Sequence, residues 1–485
     1  MKRTILTAAL LAASLFLSHT AAQSTADLEK AVNETRRSAG MQHGTLSVSV
    51  YNVRQQKPVY TYNAEQSMTP ASVEKLLTTG VGFARLGSGF RFTTKVTMRG
   101  NVDRDGVLHG NIYITGGGDP TLGSYRYRQT AQDSLFDGWM RALKRKGVRR
   151  IDGRVCYNVT IFDEQPMHDT WQWGDIGNYY ATGASALNFH ENMFFVYFNA
   201  GSKIGYPATA VSIKPKNLDM HGICEVTTAA ETTGDNVTIY GSPYSKDRLY
   251  RGTVPLGKQN FPVRGAMPDP PRSCADIFSA YLRTHGIGIS SNSMQVYSQP
   301  DSIRSVVDQY SSEYYTIAQY TNLTSNNLYA ESIFKYLGYK QYGIGTFENG
   351  SRAVMDYLKD KGLSISGVRV VDGSGLSRSN ALTADFLCRY LAALTKEPFY
   401  DDFLASLPKT GESGTARNLL PGLPAGITVR VKTGTMDGVK TYAGYIITAR
   451  GETLTFCIMS NGHDCSSQEV GTKLGKILYK IATLY

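Results

Sequence analysis

Long apolar runs are nearly absent from this chain of 485 residues. The one present, Ile5 to Leu17, follows Lys2 and Arg3 and ends at the small residues Thr20-Ala21-Ala22. That is the pattern of a secretory leader over residues 1–22, and it is short for a transmembrane helix. No Cys follows the small residues, which argues against a lipid anchor there, and no later segment is apolar enough to span a bilayer. An exported product, periplasmic or in the cell envelope, is expected. Cysteine is scarce, six in all, with no C-x-x-C pair, and the eight histidines include no H-x-x-x-H pair. No metal site is therefore expected. Cys457 and Cys465 are the nearest cysteines in sequence, and export permits a disulfide between them. The absence of G-x-S-x-G argues against a hydrolase built on a nucleophile elbow. Low-complexity runs and internal repeats are missing as well.

What is present is the composition of a folded protein: 41% hydrophobic, 19% charged, and 31 tyrosines. Tyr joins an apolar ring to a polar tip and suits clefts and half-buried sheet faces. The length implies two or three domains. Net charge is +11, with the basic residues scattered. Such a surface attracts anionic envelope polymers, and the lack of a basic patch argues against nucleic-acid binding.

Thr25 to Ser38 reads as a helix, and Thr45 to Tyr51 alternates like a strand that Val59 to Tyr62 could join as a hairpin. From about residue 97 to 299 the chain is turn-rich and holds all three tryptophans, Trp139, Trp171 and Trp173. We expect inserted domains there. Helical texture returns at Ser312 to Leu337 and at Ala384 to Leu394. Three strand patterns, Ile427 to Lys432, Thr441 to Thr448 and Thr453 to Ser460, precede a closing amphipathic helix. Two early and three late strands imply one antiparallel five-stranded sheet assembled across the insertion and flanked by helices, an α+β arrangement.

Three short motifs carry the chemistry. Ser72 lies three residues before Lys75 at a helix start after Pro70, so the two share a face, with free N–H groups near the serine. That pairs a nucleophile with a base one turn away. Ser325-Asn326-Asn327 opens a second helix, where Ser and Asn also serve as caps. Lys432-Thr433-Gly434-Thr435 ends a strand whose glycine lets a peptide approach as an added strand. Each spacing has duplicates: Ser332/Lys335, Ser406/Lys409, Ser290/Asn292 and Lys409-Thr410-Gly411. Only the first set combines order with fitting elements.

That ordered set, with Asp372-Gly373-Ser374-Gly375-Leu376-Ser377-Arg378 and Gly118-Asp119-Pro120-Thr121-Leu122, resembles the class C low-molecular-mass penicillin-binding proteins, the D-Ala-D-Ala carboxypeptidase/endopeptidase family. The resemblance implies a serine β-lactamase/transpeptidase-like fold: leader 1–22, transpeptidase domain 23–96 and 300–485, inserted domains 97–299. It implies peptidoglycan stem peptides and cross-links as substrates, β-lactams as inhibitors, and no metal or organic cofactor. Ser72 would be the nucleophile and Lys75 its base, with burial and the charge of Lys432 both lowering the Lys75 pKa. Ser325 would pass a proton to the leaving amine, and Asn327 would hold Lys75 and the substrate amide. Lys432, Thr433 and Thr435 would bind the terminal carboxylate beside Gly434, and the N–H groups of Ser72 and Thr435 would form the oxyanion hole. Asp175, Tyr180 and Met436 would line a side pocket for a diaminopimelate side chain. A β-lactamase, or a silent peptidoglycan-binding protein of the same fold, is the alternative.

Overall fold

Leu28 and Val32, four residues apart, are both fully buried and give residues 26–37, helix α1, a single inward face. The computed structural model describes residues 26–485 except Asn217 and Gln299, and the expected leader lies outside the described residues. Strands β1 (Thr45–Asn52) and β2 (Lys57–Tyr62) follow as an antiparallel hairpin. The chain then passes Pro70 and a 3-10 turn, Ala71–Glu74, into helix α2 (Lys75–Leu86). This first turn is wound more tightly than the helix expected from the sequence, and Ala71, its first residue, is left-handed at φ +48°.

The insertion begins with the hairpin of β3 (Thr93–Val102) and β4 (Val107–Thr115). Helix α3 (Gln132–Arg145) leads to β5 (Arg150–Asp152) and β6 (Val155–Asn158), which both join β4 in parallel. Next come β7 (Met193–Asn199), β8 (Thr209–Lys214), β9 (His221–Ala229), β10 (Asn236–Tyr240), β11 (Asp247–Pro255) and β12 (Phe261–Ala266). They form two three-stranded sheets, ordered β12-β7-β8 and β10-β11-β9, around Phe194, Val196, Phe198 and Tyr250. After helix α4 (Pro270–Thr284), β13 (Gly288–Ile289), β14 (Met294–Gln295) and β15 (Arg304–Tyr310) rejoin the first sheet. Helices α3 and α4 cover that sheet, packing Phe136, Trp139 and Phe278 with Ile112 and Ile114. The pairing of β15 with β3 ties the two ends of the insertion together.

The chain returns through α5 (Tyr314–Thr324), α6 (Asn327–Tyr342), α7 (Phe347–Asp360), α8 (Ala384–Leu394) and α9 (Tyr400–Ser406). Strands β16 (Thr428–Met436), β17 (Val439–Ile447) and β18 (Thr453–Asn461) precede helix α10 (Ser467–Leu484). The main sheet runs β16-β17-β18-β1-β2, antiparallel throughout. It joins the two early and three late strands read from the sequence. Leu454, Phe456 and Ile458 of β18 face α1 and α10, while Cys457 and Met459 face the α8 side. Burial on both faces explains why β18 holds four apolar residues in a row, Phe456 to Met459.

All six cysteines are free, so the disulfide that export would permit between Cys457 and Cys465 is not formed. Cys457 is buried within β18, and Cys465 lies beyond the strand's end against Gly40. The extended strand between them carries the sulfurs apart.

Candidate active site

Lys75 follows Ser72 by one turn, and its Nζ lies 3.0 Å from Ser72 Oγ. The lysine is fully buried. Burial lowers its pKa to about 7, against the pull of the Glu331, Asp372 and Glu74 carboxyls. The charge of Lys432 is not among the causes of that shift. The effect runs the other way: burial and then the charge of Lys75 depress Lys432 well below the usual lysine range. Besides Ser72, the Lys75 amine donates to Asn327 Oδ1 at 2.6 Å and to the Ser374 carbonyl at 2.6 Å.

Each of these acceptors is itself held. The Asn327 amide nitrogen donates to the Tyr180 carbonyl at 2.7 Å, which fixes Oδ1 toward Lys75. The Ser374 and Gly373 N–H groups donate to the two oxygens of Glu331, both at 2.8 Å. Glu331 lies one turn beyond Asn327 on α6 and is fully buried, which raises its pKa to about 8. Asp372 accepts from Trp171 Nε1 at 2.8 Å and from the N–H groups of Gly375 and Ser377. Glu74, next to Lys75, is also fully buried, and neither of its oxygens has a hydrogen-bond partner among the described residues. Burial, with the charges of Asp372 and Glu331, raises its pKa well above the usual carboxylate range.

Ser325 sits in the turn between α5 and α6 with left-handed φ +58°. The cap of α6 is Asn326, whose side chain accepts from Tyr329 N–H at 3.0 Å. That leaves the Ser325 hydroxyl free to accept from Lys432 Nζ at 2.9 Å. Lys432 also donates to the Thr433 carbonyl at 2.7 Å.

Gly434 brings β16 against Ser72. A Cβ there would lie 2.9 Å from Ser72 N and 2.9 Å from Pro70 O. Pro408 and Thr410 bond Val431 and Val429 on the outer edge of β16. Backbone directions alternate along a strand, so Thr433 and Thr435 also turn their N–H groups outward, and nothing from the earlier loop covers them. Their hydroxyls bond Thr415 and Lys440, each at 2.8 Å.

In the expected side pocket, Tyr180 donates to Asp175 Oδ1 at 3.1 Å. Burial raises the Asp175 pKa, and the nearby Arg378 charge opposes it. Arg378 donates to the Asp437 carbonyl, next to half-buried Met436, at 3.0 Å. Arg378 therefore lies between the Asp175–Tyr180 pair and the end of β16.

The duplicates have other work. Ser332 is buried and accepts from Asn188, while Lys335 pairs with Asp163 at 2.6 Å. Ser406 is buried and bonds Phe403 O, and Lys409 pairs with Glu412 at 2.5 Å. The sequence reading missed Glu331, Glu74, and the carbonyls of Tyr180 and Ser374. Glu331 had a signal, being four residues after Asn327 on one helix; a backbone carbonyl has none.

A cleft in which a serine faces a buried lysine of lowered pKa, beside an open strand edge, is an arrangement suited to acyl transfer through a serine ester. Its class is that of the active-site-serine penicillin-recognising enzymes. Within it, the chain belongs to the D-Ala-D-Ala carboxypeptidase 3 (S13) family, whose model matches residues 26–479. It is 27% identical to a D-alanyl-D-alanine carboxypeptidase of Actinomadura sp. (strain R39), covering 94% of this chain and 84% of the relative. Identity is 24% to D-alanyl-D-alanine carboxypeptidase DacB of Haemophilus influenzae, over 90% of this chain and 89% of that one. The crystal structure of penicillin binding protein 4 (dacB) from Haemophilus influenzae matches with TM-score 0.78 at 22% identity, over 94% of this chain and 98% of that one. That likeness concerns the fold. Family membership makes this chain a serine peptidase, a hydrolase of D-Ala-D-Ala peptides. No described helix is long and apolar enough to cross a membrane.

Proposed function

We propose that Ser72 attacks the carbonyl between the last two D-alanines of a peptidoglycan stem peptide, or a D-Ala cross-link, with Lys75 as base. One observation carries this reading: the three acceptors around Lys75 Nζ. A neutral amine has two hydrogens. With these given to Asn327 and Ser374, the lone pair faces the Ser72 hydroxyl and takes its proton as Oγ bonds to carbon. The N–H groups of Ser72 and Thr435 receive the developing oxyanion. The C–N bond then breaks, and the proton reaches the leaving amine through Ser325, which Lys432 holds. Thr433 and Thr435, backed by Lys432, bind the terminal carboxylate, and the peptide lies along the open edge of β16. Water repeats the sequence on the ester and frees Ser72. β-Lactams would form the same ester and block the site. Asp175, Tyr180, Arg378 and Met436 would receive a side chain bearing both an ammonium and a carboxylate. From the substrate we infer an envelope location outside the cytoplasm. Fluorescent penicillin should label the peptide containing Ser72, and Ser72→Ala should abolish the label; label on Ser332 or Ser406 would sink the assignment.

A further inference from the structure

Two arginines of the insertion lie on tyrosines close to the catalytic turn, two of them exposed. The Arg126 guanidinium carbon sits 4.7 Å from the Tyr125 ring centre and 4.9 Å from that of Tyr320. The Arg264 guanidinium carbon sits 3.8 Å from the Tyr179 ring centre. The two pairs are continuous: Tyr125 packs on Phe195, the cross-strand partner of Arg264. Both arginine charges act on the Tyr125 hydroxyl. Tyr125 is 50% exposed and Tyr179 41%, high for such large rings.

The patch is anchored at the reaction centre from two directions. Tyr179 precedes Tyr180, whose carbonyl holds Asn327. Tyr320 lies on α5 five residues before Ser325, about 7.5 Å along the axis. Arg126 is also deliberately fixed. Its Nε bonds Glu191 at 2.9 Å, and Glu191, 1% exposed, also accepts from Ser124 and Tyr329. Glu191 sits within three consecutive left-handed residues, His190 to Asn192, a backbone costly enough to need a purpose. With Nε engaged on Glu191, the terminal nitrogens of Arg126 remain as donors at a pocket of about 450 Å³ also lined by Tyr125, Tyr127 and Tyr320. Asp235 lies near Arg264 and offsets part of its charge.

We infer that this arginine–tyrosine rim binds the rest of the substrate polymer: the glycan strand and the carboxylates of its peptides beyond the scissile residues. Tyrosine rings stack on sugar faces, and planar guanidinium groups pair with carboxylates in two-pronged fashion. The polymer is anionic and the chain carries +11, so the charges are complementary. The inference rests on the peptidase reading above and adds where the polymer is gripped.

The test compares two substrates, a soluble tripeptide ending in D-Ala-D-Ala and purified insoluble cross-linked peptidoglycan, with penicillin acylation as a third measurement. Arg126→Ala would leave the buried Glu191 without its charge partner, which can unfold the chain. Arg264→Gln and Tyr125→Ala avoid that, and Arg126→Lys keeps the charge while losing the planar fork. Each should lower kcat/KM on the polymer about tenfold, the size of a lost charge-assisted contact. Tripeptide hydrolysis and acylation should stay at the parent level. A parallel fall on all three measurements would make the patch a structural clasp and overturn the inference, as would unchanged polymer cleavage. If the parent chain neither hydrolyses the tripeptide nor takes up penicillin, the peptidase reading is what fails.

Discussion

A neutral Lys75 amine has two hydrogens for three surrounding acceptors, so protonation decides whether Ser72 is activated or merely hydrogen-bonded. With its pKa lowered to about 7, the ammonium dominates below that pH and holds no lone pair. Acylation by penicillin should therefore rise with pH, about tenfold per unit on the acid side, and level off above a midpoint near 7. Stopped-flow acylation from pH 5 to 9 checks this; a midpoint near the ordinary lysine value would show Lys75 to be charged at work. The groups facing Lys75 are Glu331, Asp372, Glu74 and Lys432, and burial outweighs the upward pull of the three carboxyls. A second outcome belongs to Asp175. Asp175→Asn keeps shape but removes the charge, so cleavage of diaminopimelate peptides should slow about tenfold while penicillin acylation holds. Mass spectrometry of the peptide products, beside a penicillin titration, separates these from a structural defect, in which both would fall.

At the scale of elements, the site depends on how closely β16 approaches the turn before α2. Gly434→Ala would force β16 away from Ser72 N or push Thr441, which bonds Pro70 O at 2.7 Å. Acylation should drop by about a hundredfold or more, as when one oxyanion donor is lost, with far-UV circular dichroism unchanged. The earlier K-T-G copy lies in a loop along the first half of β16, the strand that carries the later copy, a neighbourhood that spacing alone does not reveal. Pro408 suited a loop, yet its carbonyl accepts from Val431 N–H at 2.9 Å, a bond that requires no donor from proline. Lys432→Ala should cripple acylation, whereas Lys409→Ala removes only a surface pair with Glu412 and should leave the rate within about twofold.

At the scale of the molecule, the insertion is bolted to the catalytic helices. Lys335 of α6, fully buried, pairs with Asp163 and lies 4.6 Å from the Phe347 ring centre. Lys335→Ala strands Asp163 in a largely buried position and should cost about 3 kcal/mol, read as a lower midpoint in urea. Lys335→Met, which fills the space, should cost less. The main sheet and its three motifs were legible because their strands alternate or run apolar and their helices start at recognisable residues. The insertion was not. Its sheets pair segments far apart, in parallel at β4–β5, β4–β6 and β9–β11, and strands as short as Gly288–Ile289 carry no period. Nor could spacing reveal that Tyr180, more than a hundred residues from Asn327, lends it a carbonyl.

The loop at Pro408 to Thr410 has a bearing on solubility. A sheet's last strand is a standing invitation to another chain's strand, and long bare edges lead to aggregation. Here the protein seals the first half of that border with its own backbone, at Val429 and Val431, and leaves bare only the stretch around Thr433 and Thr435. A span so short has room for the tail of a peptide but gives a neighbouring molecule too few rungs to climb. The chain can thus keep a short bare edge without its copies joining through it.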